Sequence, residues 1–145
     1  MGRGRHTLPL ARAGFHTFGV DRSFDAVRDG VRAALDAGTP IAAWCADLTA
    51  SPLPFERFDL VVVTRYLQRD LFPAIRAALR PGGFVLYETF TVDQLALGRG
   101  PTSADHLLRG GELREYFDFA DFAIVFYEET SAPEAVARLA ARRRS

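Results

Sequence analysis

The residues of this chain with the means to do chemistry recur at a few places. Two glycines stand near the start (Gly2, Gly4), and an aspartate follows each of two short apolar runs (Asp21, Asp47). Polar or aromatic groups follow two more such runs: Thr64, Arg65 and Tyr66, then Glu88, Thr89 and Phe90. Glycine lets a backbone come close to a ligand and leaves helix N–H groups aimed at it. Asp21 lies 17 residues after Gly4, near the spacing at which a carboxylate reaches a ribose diol. A carboxylate at Asp47 can accept from an exocyclic amine. Together these are the parts of a nucleotide site. Each also has a plainer reading: glycines in a flexible tail, aspartates as turn formers or caps, PGG as turn chemistry. Arg65, Arg69 and Arg99 could steer an anionic substrate, with His106 touching it from a connecting segment, or they could be solvated. In G-R-G-R-H-T, Thr7 stands where a dinucleotide fingerprint needs its third glycine, which counts against a nicotinamide or flavin cofactor. Cys45 reads as a small buried apolar residue. His6, His16 and His106 lack metal-ligand spacing, so no metal is expected.

The elements that must position these groups alternate between strand and helix. FHTFGV (15–20) reads as a strand. Ser23 is a plausible N-cap for a helix carrying Phe24, Val27, Val31 and Leu35 and stopping at Gly38. IAAWC (41–45) is a short strand, and FDLVVV (58–63) is a continuous apolar run that predicts burial on both faces. A helix spans about 70–79, with Pro73 tolerated in its first turn. RPGG (80–83) reads as a tight turn and FVLYETF (84–90) as another strand. Residues 91–110 form a long connection, a length that compact domains keep when they use it. A short helix near 112–117 leads into a strand at 122–129. The segment 134–143 favours helix by its alanines, but its closeness to the preceding strand and Pro133 suit the return arm of a hairpin, and strand is the reading adopted. The expected fold is α/β: an open, mostly parallel, doubly wound sheet (Rossmann-like) with a C-terminal antiparallel hairpin.

Composition excludes several classes. The 145 residues form about one domain, 1–145, and 48% hydrophobic residues suffice for a core. Basic and acidic residues balance at 18 each, every base being arginine, so no global charge calls for nucleic acid or an anionic membrane. A single cysteine excludes an internal disulfide. No apolar run reaches the roughly 18 residues of a membrane span, and no signal core follows the basic start. A soluble, cytoplasmic protein acting on a small molecule is expected.

The stretch GRGRHTLPLARAGFHTFGVD resembles the glycine motif and following strand, G-x-G-x(n)-LA-x-x-G-x-x-x-x-G-V-D, of class I S-adenosylmethionine-dependent methyltransferases. RYLQRDLFPAIRAALRPGGFVLYETFT and GRGPTSADHLLRGGELREYF look more narrowly like the tellurite-resistance and thiopurine-type branch. The resemblance covers nearly all the chain. It implies S-adenosyl-L-methionine as cofactor: Gly2 and Gly4 at its methionine part, Asp21 on the ribose hydroxyls, and Asp47 with the Leu48 backbone on the adenine. It also implies Thr64 and Tyr66 under the sulfonium and the incoming substrate, and 91–110 as a substrate-side lid. The family motif begins D-x-G-x-G-x-G, of which this chain supplies the last two glycines. The resemblance therefore implies an N-terminally truncated domain whose central first strand is missing.

The implied chemistry is in-line displacement on a methyl carbon. A soft anion or thiolate needs no strong base there, which fits the lack of a His/Asp or paired-carboxylate constellation. The catalytic residue is not identified, and Arg65, Tyr66 and His106 are the substrate-side candidates. Two other readings stay open: a non-catalytic remnant of the same fold and a nicotinamide-dependent oxidoreductase.

Overall fold

A computed structural model describes residues 1–145, which divide into two compact units, Met1–Pro52 and Leu53–Ser145. No helix is long and apolar enough to cross a membrane.

The first unit contains α1 (Thr7–Arg12), β1 (Phe18–Asp21), α2 (Phe24–Asp36) and β2 (Ala42–Cys45). β1 and β2 pair in parallel, Phe18 opposite Ala42 and Asp21 opposite Cys45. Of the run 15–20 only Phe18, Gly19 and Val20 join the ladder, with Asp21 after them, because β2 is equally short. α2 starts where expected: the Ser23 side chain accepts from the Ala26 N–H at 3.2 Å. It ends at Gly38, whose φ of +63° suits a residue without Cβ. The opening residues are folded onto this frame. A Cβ at Gly30 would meet Met1 Cε at 2.7 Å and the Gly2 carbonyl at 3.3 Å, so this mid-helix glycine makes room for the N-terminal loop. Gly19 on β1 makes room for the Met1 thioether in the same way.

The second unit contains β3 (Phe58–Thr64), a 3-10 turn (Arg69–Leu71), α3 (Phe72–Ala78), β4 (Leu79–Phe90), α4 (Glu112–Glu115), β5 (Phe122–Thr130) and β6 (Val136–Arg143). The sheet order is β3-β4-β6-β5. β3 and β4 are parallel, and β6 runs antiparallel between β4 and β5, so three of the four strands share one direction. The hairpin reading of 134–143 holds. Alanine propensity loses there because Ala137 and Ala141 are fully buried between two strand partners. The core is aromatic. Phe72, fully buried at the start of α3, stacks on Tyr116 at a centroid distance of 3.7 Å and on Tyr87 of β4 at 5.2 Å, and meets Phe117 edge-on at 5.9 Å.

Three expectations are corrected. Cys45, read as buried, is exposed at the end of β2, where its thiol donates to the Arg22 carbonyl at 3.3 Å. FDLVVV is half-buried rather than enclosed on both faces, because β3 is an edge strand with one partner. RPGG is not a free turn but the irregular start of β4. Phe58 pairs with Leu79 and Leu60 with Phe84, so two steps along β3 match five along β4, and Arg80–Gly83 bulge between. The glycines are still required: Gly82 has φ +82°, and a Cβ on Gly83 would lie 2.9 Å from the Arg80 carbonyl and 3.1 Å from that of Phe58.

Candidate functional site

In the first unit, the strand tips carry the carboxylates. Asp21 ends β1, and the Ala46 N–H donates to its carbonyl at 3.1 Å, which ties the ends of the two strands together one residue before Asp47. The Asp21 carboxylate accepts the Gly2 N–H at 2.7 Å and the Met1 amine at 3.2 Å on Oδ2, and the Ser23 N–H at 3.0 Å on Oδ1. Partial burial pushes this carboxyl up, but the hydrogen bonds from Ser23 and Gly2 and the Met1 amine outweigh it and hold it below the usual range. Asp21 is thus ionised at neutral pH and is the anchor of the glycine loop. The loop turns through Gly2 at φ +52° and Gly4 at φ +89° before the Gly4 carbonyl accepts the Leu8 N–H of α1 at 3.0 Å.

Asp47 uses Oδ1 locally, accepting the Thr49 N–H at 2.9 Å and the Thr49 hydroxyl at 2.8 Å, and these bonds hold its carboxyl low. Its Oδ2 lies 3.8 Å from Arg22 Nε and accepts no hydrogen bond. The adjacent Leu48 N–H has no protein acceptor. An acceptor and a donor therefore stand side by side past β2, the pair that the edge of an aminopurine asks for.

In the second unit, Thr64 closes β3 opposite Glu88 on β4. Arg65 follows in a left-handed conformation (φ +55°), fixed by its N–H on the Glu88 carbonyl at 2.9 Å. Its guanidinium forks onto Glu134 at 3.0 and 2.5 Å, approaches Glu88 at 3.3 Å through Nε, and lies 4.4 Å from the centroid of Phe90. The Nε contact is an ion pair without hydrogen-bond geometry, and that nitrogen is buried. Hydrogen bonding to Arg65 holds Glu134 low. Arg65, Tyr66, Leu67, Thr89, Phe90, Pro101 and His106 line one cavity of about 320 Å³. All three substrate-side candidates face it.

The segment 91–110 that supplies Pro101 and His106 is tied down by two buried side chains. Gln94 accepts the Ala135 N–H and donates to the Arg99 carbonyl, each at 2.8 Å. Glu112 accepts from Arg69 at 2.6 and 3.0 Å and from the Arg109 N–H at 2.8 Å. Burial pushes the Glu112 carboxyl up, but the Arg69 and Arg109 bonds prevail and bring it to about 2. Arg69 also donates to the carbonyls of Asp105 and Leu107, so it fastens the His106 turn rather than standing free. Arg99 likewise donates to the Pro133 carbonyl. The sequence reading had no signal for Glu134, Gln94 or Glu112: Glu134 meets Arg65 across 69 residues, a separation at which no local pattern survives.

A model of a protein family described as a methyltransferase domain matches residues 1–83. No curated protein sequence matches the chain. Among solved structures, TehB from Haemophilus influenzae superimposes with a TM-score of 0.81 at 20% identity, over 99% of this chain and 55% of that one. An S-adenosylmethionine-dependent methyltransferase from Mesorhizobium loti gives 0.79 at 22% identity, over 98% and 87%. The magnesium protoporphyrin IX methyltransferase ChlM from Synechocystis, with bound SAH, gives 0.74 at 19% identity, over 98% and 70%. At such identities the likeness is one of fold.

Proposed function

This chain belongs to the methyltransferase-domain family, and from that premise we propose that it transfers a methyl group from S-adenosyl-L-methionine to a small-molecule nucleophile. When bound, the cofactor supplies an electrophilic methyl carbon on a sulfonium, and sulfur keeps the bonding pair as the methyl leaves. The protein's part is to hold the two reactants in line and keep water out, effects worth up to roughly 7–11 kcal/mol in favourable cases.

The first unit's residues fit an adenosine. Asp21, ionised and oriented by three donors, retains acceptor capacity for the ribose hydroxyls. Asp47 Oδ2 and the Leu48 N–H take the adenine edge. Gly2 and Gly4 bring the loop backbone to the methionine part. In the second unit, Arg65, Tyr66 and His106 receive the substrate, with Thr64 beside them at the tip of β3. The observation that carries this reading is the pair of carboxylates past the ends of two adjacent parallel strands, one of them holding the glycine loop by the Gly2 N–H. A small molecule is the proposed acceptor because the cavity is of small-ligand size and the chain's basic and acidic residues balance at 18 each.

Calorimetric titration with S-adenosylhomocysteine tests the reading. Binding is expected, and Asp21→Ala weakens it about 10- to 100-fold, the loss of hydrogen bonds to a charged group. Silence toward S-adenosylhomocysteine overturns it, and tight binding of a nicotinamide dinucleotide instead marks an oxidoreductase. Undiminished affinity in Asp21→Ala removes Asp21 from the site.

A further inference from the structure

The cavity beside β3 departs from the anion-steering site that its arginine suggests. Its one lining cation, Arg65, is forked onto Glu134 and lies 3.3 Å from Glu88, which Arg138 holds in turn at 2.7 Å, and its face is spent on Phe90. A guanidinium so engaged has its donors committed, and a substrate carboxylate would have to displace Glu134 to reach them. The rest of the lining is largely carbon: Leu67, Phe90, Pro101 and the Tyr66 ring, with the Thr89 hydroxyl as a polar point. His106 differs from every other lining group. Its imidazole makes no hydrogen bond and no ion pair and is exposed to solvent, so its ring nitrogens are free to accept from a bound molecule. The charged or titratable groups around it are Arg65 and Tyr66 across the cavity, Asp105 on its own turn, and Arg69, which holds the Asp105 carbonyl at 3.1 Å.

We infer that this cavity takes an uncharged, apolar-bodied nucleophile bearing an ionisable X–H, an aromatic hydroxyl being the type, and that His106 accepts its proton. The inference rests on the methyltransferase reading. The X–H electron pair closes on the methyl carbon, the methyl–sulfur bond breaks with its pair on sulfur, and the X–H proton passes to an imidazole nitrogen of His106 and from there to water. Arg69, through the Asp105 and Leu107 carbonyls, is a positioning residue that holds the His106 turn in place.

Three probes of one shape separate the possibilities: 2-naphthol, neutral at pH 7; 2-naphthalenethiol, which ionises more readily; and 2-naphthoate, a fixed anion. Equilibrium dialysis of the whole chain is expected to show 2-naphthol held more tightly than 2-naphthoate. Glu134→Gln, which releases half of the Arg65 fork, is expected to raise naphthoate binding several-fold and leave naphthol unchanged. With S-adenosylmethionine present, His106→Gln is expected to lower kcat for 2-naphthol about 100-fold, within the span of general-base contributions, while KM and the thiol rate stay within a few-fold. Tighter binding of naphthoate to the unaltered chain overturns the inference. So does an equal loss on both nucleophiles, or cofactor binding with no transfer to naphthol. Naphthol binding together with silence toward S-adenosylhomocysteine sinks the methyltransferase reading and the proton role, and leaves the cavity's preference for neutral ligands standing.

Discussion

Asp21 and Glu112 are both carboxylates held below their ordinary range, and the difference between them lies in their partners. Asp21 is held by two backbone N–H groups and by the Met1 ammonium, and it sits partly exposed at a strand end. Glu112 is 2% exposed, faces the Arg69 guanidinium on both oxygens, and is structural. Glu112→Gln is expected to destabilise the fold by about 3 kcal/mol, since removing one member of a buried pair strands the other, and Arg69 keeps enough solvent to stay at the low end of that penalty. The check is a lower urea midpoint at unchanged slope. The place of Asp21 at a strand end could be read in the sequence because it depends on local chain, whereas its hold on the Gly2 N–H and the Met1 amine could not. Glu112 could not, because its partner is 43 residues away.

At the scale of elements, the ends of strands and helices were legible wherever a local rule sets them, as at the Ser23 cap, at Gly38 and at Pro73 in the first turn of α3. The start of β4 was not, because the same PGG chemistry serves a free turn and a bulge, and only the pairing of Phe58 with Leu79 distinguishes them. Gly83→Ala is expected to cost about 1–3 kcal/mol, since the new Cβ meets only backbone oxygens, which cannot swing away. Thermal melting reads this directly. The 91–110 segment is also more ordered than a polar connection promises, through short 3-10 helices at Val92–Leu97 and Ala104–His106 and the buried Gln94. Gln94→Ala leaves the Ala135 N–H and the Arg99 carbonyl without their partner, and limited proteolysis is expected to cut between 97 and 103 faster than in the unaltered chain.

For the molecule as a whole, a zero net charge hides a directed use of it. Asp21, Asp47, Glu112 and Glu134 all carry carboxyls lowered by folding. A carboxyl lowered in the fold stabilises it fully above the unfolded value and loses that contribution as pH falls through the folded one. For Glu112, the fall from 4.5 to about 2 corresponds to roughly 3 kcal/mol, absent at very low pH and regained by about pH 5. Chemical denaturation between pH 2 and 5 is therefore expected to show stability climbing with pH, and Glu112→Gln should flatten that climb. The overall α/β pattern was legible because strand and helix alternate with their own periods, whereas the pairing order β3-β4-β6-β5 was not, since the sequence states no partner for an alanine-rich strand.

That order fixes when the second sheet can form. β6 is the strand that joins β5 to the β3–β4 pair, so a nascent chain leaving the ribosome carries β4 with one side unzipped until residues 136–143 have been made. During that interval the hydrogen-bonding rim of β4 is open to any passing extended segment. Synthesis of this protein should accordingly be most vulnerable to aggregation just before β6 appears, and most responsive to chaperones at that moment.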